Sequence, residues 1–131
     1  MIGDIDKFFT SAAYAVVGAS THREKYGNKV LRCYLQHHKQ VYPINPHEKT
    51  IEGAACLASL AELPEDVKSI SVITPPPVTE KIVQQAIAKN IENIWMQPGA
   101  ESEAAITLCQ TNNINVIARG ACILVVLGFH E

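Results

Sequence analysis

Tyr14-Ala15-Val16-Val17-Gly18-Ala19-Ser20-Thr21 decides the fold. An apolar run that stops at a glycine and opens into small hydroxyl residues reads as a buried strand followed by a ligand-facing turn. Thr21-His22-Arg23-Glu24-Lys25-Tyr26-Gly27 continues that turn, and from about Asn28 the apolar period becomes helical. Such a junction offers an anion a backbone it can approach closely, hydroxyl donors, and the free N–H groups of a helix N-terminus. The segment predicts an α/β chain with a nucleotide-like ligand at its first turn.

The same alternation continues outward. Val30/Tyr34 and Leu31/Leu35 are i,i+4 pairs, which predict a helix from Asn28 to about His38 that exposes Lys29, Arg32 and Gln36. Gln40 to Asn45 reads as a second strand, with Pro43 near its end, where a missing N–H is tolerated. Ser59-Leu60-Ala61-Glu62 matches a capping box and predicts a short helix that stops before Pro64. Ser69 to Thr74 reads as the third strand, halted by Pro75-Pro76-Pro77, and Val78, Ile82, Val83, Ala86 and Ile87 stripe a helix ending near Asn90. Asn93 to Met96 and Asn115 to Ala118 are the fourth and fifth strands, with a helix from Ser102 to Gln110 between them. Cys122 to Leu127 is a sixth strand or a packed tail, and Ile5, Phe8 and Phe9 place a helix within residues 1–12 over the sheet. With right-handed crossovers this makes one domain over residues 1–131, a three-layer, doubly wound parallel sheet of strand order 3-2-1-4-5. Its ligand edge gathers Gly18 to Gly27, Asn45-Pro46-His47 and Thr74 to Pro77.

Composition narrows the function classes. The chain of 131 residues is 47% hydrophobic and 18% charged, an ordinary globular balance. A net charge of −2 and a pI near 6.2 remove the basic surface on which nucleic-acid binding depends. The amino-terminal stretch lacks the basic and apolar regions of a secretory signal, and the longest apolar run, Ala121 to Phe129, is far below the ~20 residues of a membrane span. A cytoplasmic protein with no membrane partner is expected. Cys33, Cys56, Cys109 and Cys122 form no C-x-x-C pair, so neither a zinc knuckle nor a thioredoxin-like motif is present, and reduced core or near-core thiols are expected. No metal site is expected. Adjacent His37 and His38 cannot face one another on a helix and read as solvated surface. Trp95 reads as packing rather than a stacking platform.

The dinucleotide fingerprint needs G-x-G-x-x-G and an acidic residue closing the second strand. Here Gly18 is followed by no glycine until Gly27, and the second strand closes on Pro43-Ile44-Asn45-Pro46. There is no G-x-x-x-x-G-K-[ST] either, which removes a nucleotide-hydrolysing P-loop.

In their order along the chain, Ala15-Val16-Val17-Gly18-Ala19-Ser20, Lys25-Tyr26-Gly27, Tyr42-Pro43-Ile44-Asn45-Pro46 and Ile94-Trp95-Met96-Gln97-Pro98-Gly99-Ala100 carry a resemblance. From about Phe8 to Cys122 the sequence resembles the stand-alone coenzyme A-binding domain family, itself similar to the N-terminal domain of the succinyl-CoA synthetase alpha subunit. The resemblance implies a Rossmann-like fold that holds the ADP moiety of coenzyme A at the first-strand crevice. On that reading Gly18, Ala19, Ser20 and Thr21 hold the diphosphate, with Tyr26 and Gly27 beside them and Lys25 or Arg23 adding positive charge. Asn45 and Pro46 flank the adenosine, and Thr74, Pro75 and Pro76 form the opposite wall. The 3′-phosphate of coenzyme A fits a second-strand end that offers His47 and Lys49 instead of an acid. The family has a cysteine near Cys122, where a thiol is placed for a mixed disulfide with the cofactor. The resemblance implies a binding module for coenzyme A or an acyl-CoA, because the synthetase's phosphorylated histidine lies beyond its own CoA-binding domain. Two alternatives stay open: an NAD(P)-binding oxidoreductase or redox sensor, and a regulatory protein with a degenerate pocket. A homodimer and a separate protein partner are both compatible with the sequence.

Overall fold

A computed structural model describes residues 1–131. Strand β1 (Ala13–Val17) is buried along its whole length, as a strand covered on both faces must be. Its side chains alternate between two cores. Ala13, Ala15 and Val17 pack with Ile70, Val72, Val83, Ile94 and Ile106, while Tyr14 and Val16 pack with Phe8, Val30, Tyr34 and Trp95.

Helix α1 (Ile5–Phe8) precedes β1, and α2 (Tyr26–Gln36) follows it. Strand β2 (Val41–Ile44) then pairs parallel to β1, Val17 opposite Ile44. A hairpin of β3 (Thr50–Ile51) and β4 (Ala54–Ala55) turns through Glu52 and Gly53 at φ of 51° and 80°, the left-handed pair that a two-residue hairpin turn requires. After a 3₁₀ turn at Leu60–Glu62 come β5 (Val67–Val72), α3 (Pro76–Ala88), β6 (Asn93–Met96), α4 (Glu103–Thr111) and β7 (Asn115–Ile117). The five long strands are all parallel in the order β2-β1-β5-β6-β7, an α/β doubly wound sheet of Rossmann-like form. No helix is long and apolar enough to cross a membrane.

Most expected elements form where the apolar period places them. The capping box at Ser59 and Glu62 is present, and Ser102 caps α4 by accepting from Ala105 N at 3.1 Å. Cys122 to Leu127 is a packed tail with a π-helical turn at Leu124–Gly128, and Trp95 is fully buried. All four cysteines are free, Cys33 and Cys109 buried, Cys56 and Cys122 half-buried.

Several expectations change. Arg32, expected on the exposed face of α2, is buried and donates to Asn28 Oδ1 and the Arg23 carbonyl. The run expected as third strand lies on the far side of β1, because Val67–Val72 pairs with β1 directly. The third place in the 3-2-1 order is taken by one residue, Leu57, whose N–H donates to Pro43 O and whose carbonyl accepts from Asn45 N, each at 2.9 Å. The chain between β2 and β5 spends its length on the hairpin and the 3₁₀ turn, and of the apolar run Ala54 to Ala58 the first two residues pair within the hairpin, leaving Leu57 alone to bridge to β2. The amino-terminal helix is a single turn, capped by Asp4 and followed by the Phe9 cap. His37 is half-buried, its Nε2 donating to Gly128 O at 2.6 Å and holding the tail against the end of α2.

The sheet's other edge is covered too. Ile2 pairs antiparallel with Ala118 beyond β7, Ile2 N to Ala118 O being 3.1 Å. Below it runs a buried polar string in which Ser69 Oγ donates to Phe8 O at 2.6 Å and Asn93 Nδ2 donates to Ser69 Oγ at 3.0 Å.

Two buried tyrosines make opposite tests of polar burial. Tyr34 OH and Ser71 Oγ are 2.7 Å apart, whereas Tyr14 OH has no partner. Tyr34→Phe strands the Ser71 hydroxyl and is expected to cost about 1–3 kcal/mol, while Tyr14→Phe removes an unpaired group and is expected to be neutral or stabilising. Urea unfolding of both variants checks the pair, and a destabilised Tyr14→Phe contradicts it.

Candidate functional site

The junction between β1 and α2 is built by close approach of main chain to main chain. Gly18 has φ of +90°, and a Cβ there would strike the Ile73 carbonyl. A Cβ on Gly27 would strike the carbonyl of Gly18 itself. With both side chains absent, the first turn of α2 lies directly against the end of β1.

The donors at this contact are left open. The main-chain N–H groups of Gly18, Ala19, Ser20, Tyr26 and Gly27 donate to no acceptor in the protein, and all five residues line one cavity of about 500 Å³. Lys25 occupies the N-cap of α2 without making a side-chain cap, and the first turn holds no acidic residue. A helix N-terminus without cap or carboxylate keeps its partial positive charge for a ligand.

Charge around the cavity is divided between partners. Arg23 Nε lies 3.5 Å from Glu52 Oε2, so its guanidinium is drawn to the β3–β4 hairpin. Lys25 lines the cavity and makes no ion pair. Behind the loop, fully buried Asn28 donates Nδ2 to Ser20 O at 2.9 Å and to Glu52 Oε2 at 3.1 Å, and accepts from Arg32 Nε at 2.6 Å. Arg32 donates in turn to Arg23 O at 2.8 Å. Residues 20–23 are thereby tied to α2 and the hairpin at the same time.

A second cavity of about 410 Å³ adjoins the first and shares Gly18 and Asn45 with it. Its walls are mainly apolar, with Ile44, Pro46, Leu60, Val78 and Ile82 facing Thr74 and Gln85. Asn45 stands between the two, donating Nδ2 to Ala19 O at 2.9 Å and accepting from His47 N at 2.8 Å. Its amide is spent on joining the two loops.

Of the residues singled out in the sequence, Gly18, Ala19, Ser20, Lys25, Tyr26, Gly27 and Asn45 line the junction cavity, and Pro46 and Thr74 line the apolar one. Thr21 and Arg23 lie in the loop but line neither. Pro75 and Pro76 also line neither; they are the N-cap and first residue of α3, and Val78 supplies the wall instead. Sequence reasoning missed Asn28, Arg32 and Glu52. The i,i+4 spacing of Asn28 and Arg32 and the Glu52-Gly53 turn were the signals available.

The profile of the family described as CoA binding domain matches residues 12–128. The chain belongs to that family. Among curated relatives it is 28% identical over 102 residues to the ADP-forming acetate–CoA ligase I of Archaeoglobus fulgidus, covering 78% of this chain and 15% of the ligase. It is 25% identical over 91 residues to the alpha subunit of the ADP-forming acetate–CoA ligase II of Pyrococcus furiosus, covering 69% of this chain and 20% of the subunit. The chain thus spans between 15% and 20% of the length of those relatives. A conserved hypothetical protein from Pyrococcus furiosus superposes with a TM-score of 0.83 at 37% identity, covering 87% of this chain and 97% of that one. The dinucleotide-forming acetyl-coenzyme A synthetase 1 of Candidatus Korarchaeum cryptofilum, in complex with phosphate and ADP, shares the fold at a TM-score of 0.77 and 23% identity, over 88% of this chain and 27% of that one. The family expected from the sequence is the one found.

Alanine exceeds glycine in helix propensity by about 1 kcal/mol, yet Gly27→Ala is expected to destabilise the protein, because the added methyl displaces the Gly18 carbonyl. Asn28→Ala is expected to cost about 1–3 kcal/mol by leaving the Ser20 carbonyl and the Arg32 guanidinium without their partner. Urea midpoints measure both, and a stabilised Gly27→Ala contradicts the close approach.

Proposed function

We propose that this domain binds coenzyme A or an acyl-CoA and holds its ADP moiety across the two adjoining cavities, acting as a binding module without chemistry of its own. The observation that carries the reading is the array of unpaired main-chain N–H groups beside unpaired Lys25, in a chain of the CoA binding domain family. A diphosphate meets donors fixed before it arrives, and the lysine adds a charge-assisted contact. The adenosine lies in the apolar cavity, between Pro46 and the Val78–Ile82 side of α3.

Thr21, Arg23, Pro75 and Pro76 act in this reading through the shape and charge of the rim. Arg23, paired with Glu52, is the weaker candidate for a phosphate contact. The end of β2 favours coenzyme A over a nicotinamide dinucleotide, since Asn45 brings no carboxylate to a ribose diol and its amide is already engaged. The absence of chemistry rests on the partners of the groove's hydroxyls. Ser20 Oγ accepts a main-chain N–H from His22 and Thr74 pairs with Thr79, so neither meets a histidine or carboxylate base. Four free thiols accord with a reducing, cytoplasmic setting.

Calorimetric titration with coenzyme A, NAD and NADP tests the reading, with heat expected from coenzyme A alone. Binding of a nicotinamide dinucleotide in its place favours the oxidoreductase alternative, and silence from all three favours the regulatory one. Lys25→Ala is expected to weaken coenzyme A binding about tenfold, the loss of one charge-assisted contact, and to flatten its salt dependence. Arg23→Ala is expected to change affinity far less. Equal losses in the two variants contradict the assignment of charge to Lys25.

A further inference from the structure

The loop between β1 and α2 is charged from behind as well as from the front. Arg32 is buried, yet it makes no ion pair. Its guanidinium donates Nε to Asn28 Oδ1 at 2.6 Å and Nη2 to the Arg23 carbonyl at 2.8 Å, and lies 5.1 Å from the centre of the Phe129 ring. Burying a cation is costly unless its field is answered nearby, and here a hydrogen bond passes that field to Asn28.

The answering charge comes from the hairpin. Glu52 stands at its tip with φ of 51°, and its side chain is only 24% exposed. Asn28 Nδ2 donates both to Glu52 Oε2, at 3.1 Å, and to Ser20 O, at 2.9 Å, so a single nitrogen separates the carboxylate from a loop residue that lines the junction cavity. Arg23 Nε lies 3.5 Å from the same carboxylate oxygen. One acid therefore faces two guanidinium groups, Arg23 directly and Arg32 through Asn28. The loop's own acid, Glu24, is 77% exposed beside His22 and is screened by water.

We propose that Glu52 is the residue that lowers the affinity of the site for an anionic ligand, by offsetting the positive charge behind the loop and keeping Arg23 on the hairpin. The inference rests on the coenzyme A reading and names what tunes that site. A diphosphate in the junction cavity meets the repulsion of this carboxylate across one intervening amide, where burial weakens the screening. A purely structural part for Glu52, as acceptor for Asn28, leads to the opposite sign, because losing that acceptor loosens the loop and weakens binding. The direction of the effect separates the two roles.

Calorimetric titration of coenzyme A into the full chain tests this with two variants. Glu52→Gln keeps an oxygen for Asn28 and removes the charge. Glu52→Asn removes both, and asparagine tolerates the left-handed backbone at this position. Each is expected to bind coenzyme A about threefold more tightly than the native chain at low ionic strength, and the gain is expected to disappear towards about 1 M salt, where charges act over only ~3 Å. Arg23→Ala shifts the same balance the other way and is expected to weaken binding about twofold. Unchanged or weaker binding by Glu52→Gln, or a gain that salt does not reduce, overturns the inference while leaving the coenzyme A reading intact; Glu52→Asn decides in the same way should urea unfolding show the first variant not to be folded. Absence of coenzyme A binding by the native chain and by both variants removes the inference and the reading together.

Discussion

The carbonyl of Gly18 stands where a side chain on Gly27 would have to be. That contact sets the distance between the end of β1 and the start of α2, and most of the ligand edge follows from it. A single methyl on Gly27 forces strand and helix apart, so that the N–H groups of both segments no longer face one cavity, while one on Gly18 is driven against the Ile73 carbonyl at the end of β5. The phosphate-binding fold usually places its close-approach glycines within one short turn. Here the pair is separated by a longer loop, which has to be held by other means.

Those means are electrostatic. Asn28, Arg32 and Glu52 surround the loop from behind and consume its polar groups, including the Arg23 carbonyl and guanidinium. Lys25 is left over, a cation at a helix N-cap, where the helix dipole disfavours it. A dianion at the same place reverses the sign of that interaction. The arrangement trades local helix stability for a poised cavity, the kind of exception to local rules that marks a functional site.

How much of this was readable in advance depends on how local each signal is. The strands β1 and β6, the proline start of α3 and the Ser59 capping box announce themselves within a few residues, and they form as read. The glycines and Lys25 were legible as a loop, and the family resemblance pointed to the ligand class proposed for it. Strand neighbours were not legible, because a one-residue bridge at Leu57 has no period of its own and only its two hydrogen bonds reveal it. The Asn28–Glu52 bond joins residues from different supersecondary units and has no sequence signature beyond two polar residues. His37 looked solvated because its partner, the Gly128 carbonyl, lies at the other end of the chain.

Both margins of the main sheet end in a single borrowed residue, Leu57 beside β2 and Ile2 beside β7. An open margin is a template on which a foreign strand can grow, and these two residues take up the nearest main-chain donors and acceptors. Association with another copy or another protein by strand addition is therefore blunted at either flank, and helix faces or the ligand-bearing rim are left as the places where neighbours can meet. The first few residues serve as a guard on the sheet, and their loss would expose β7 to unwanted pairing in a fold that otherwise stays intact.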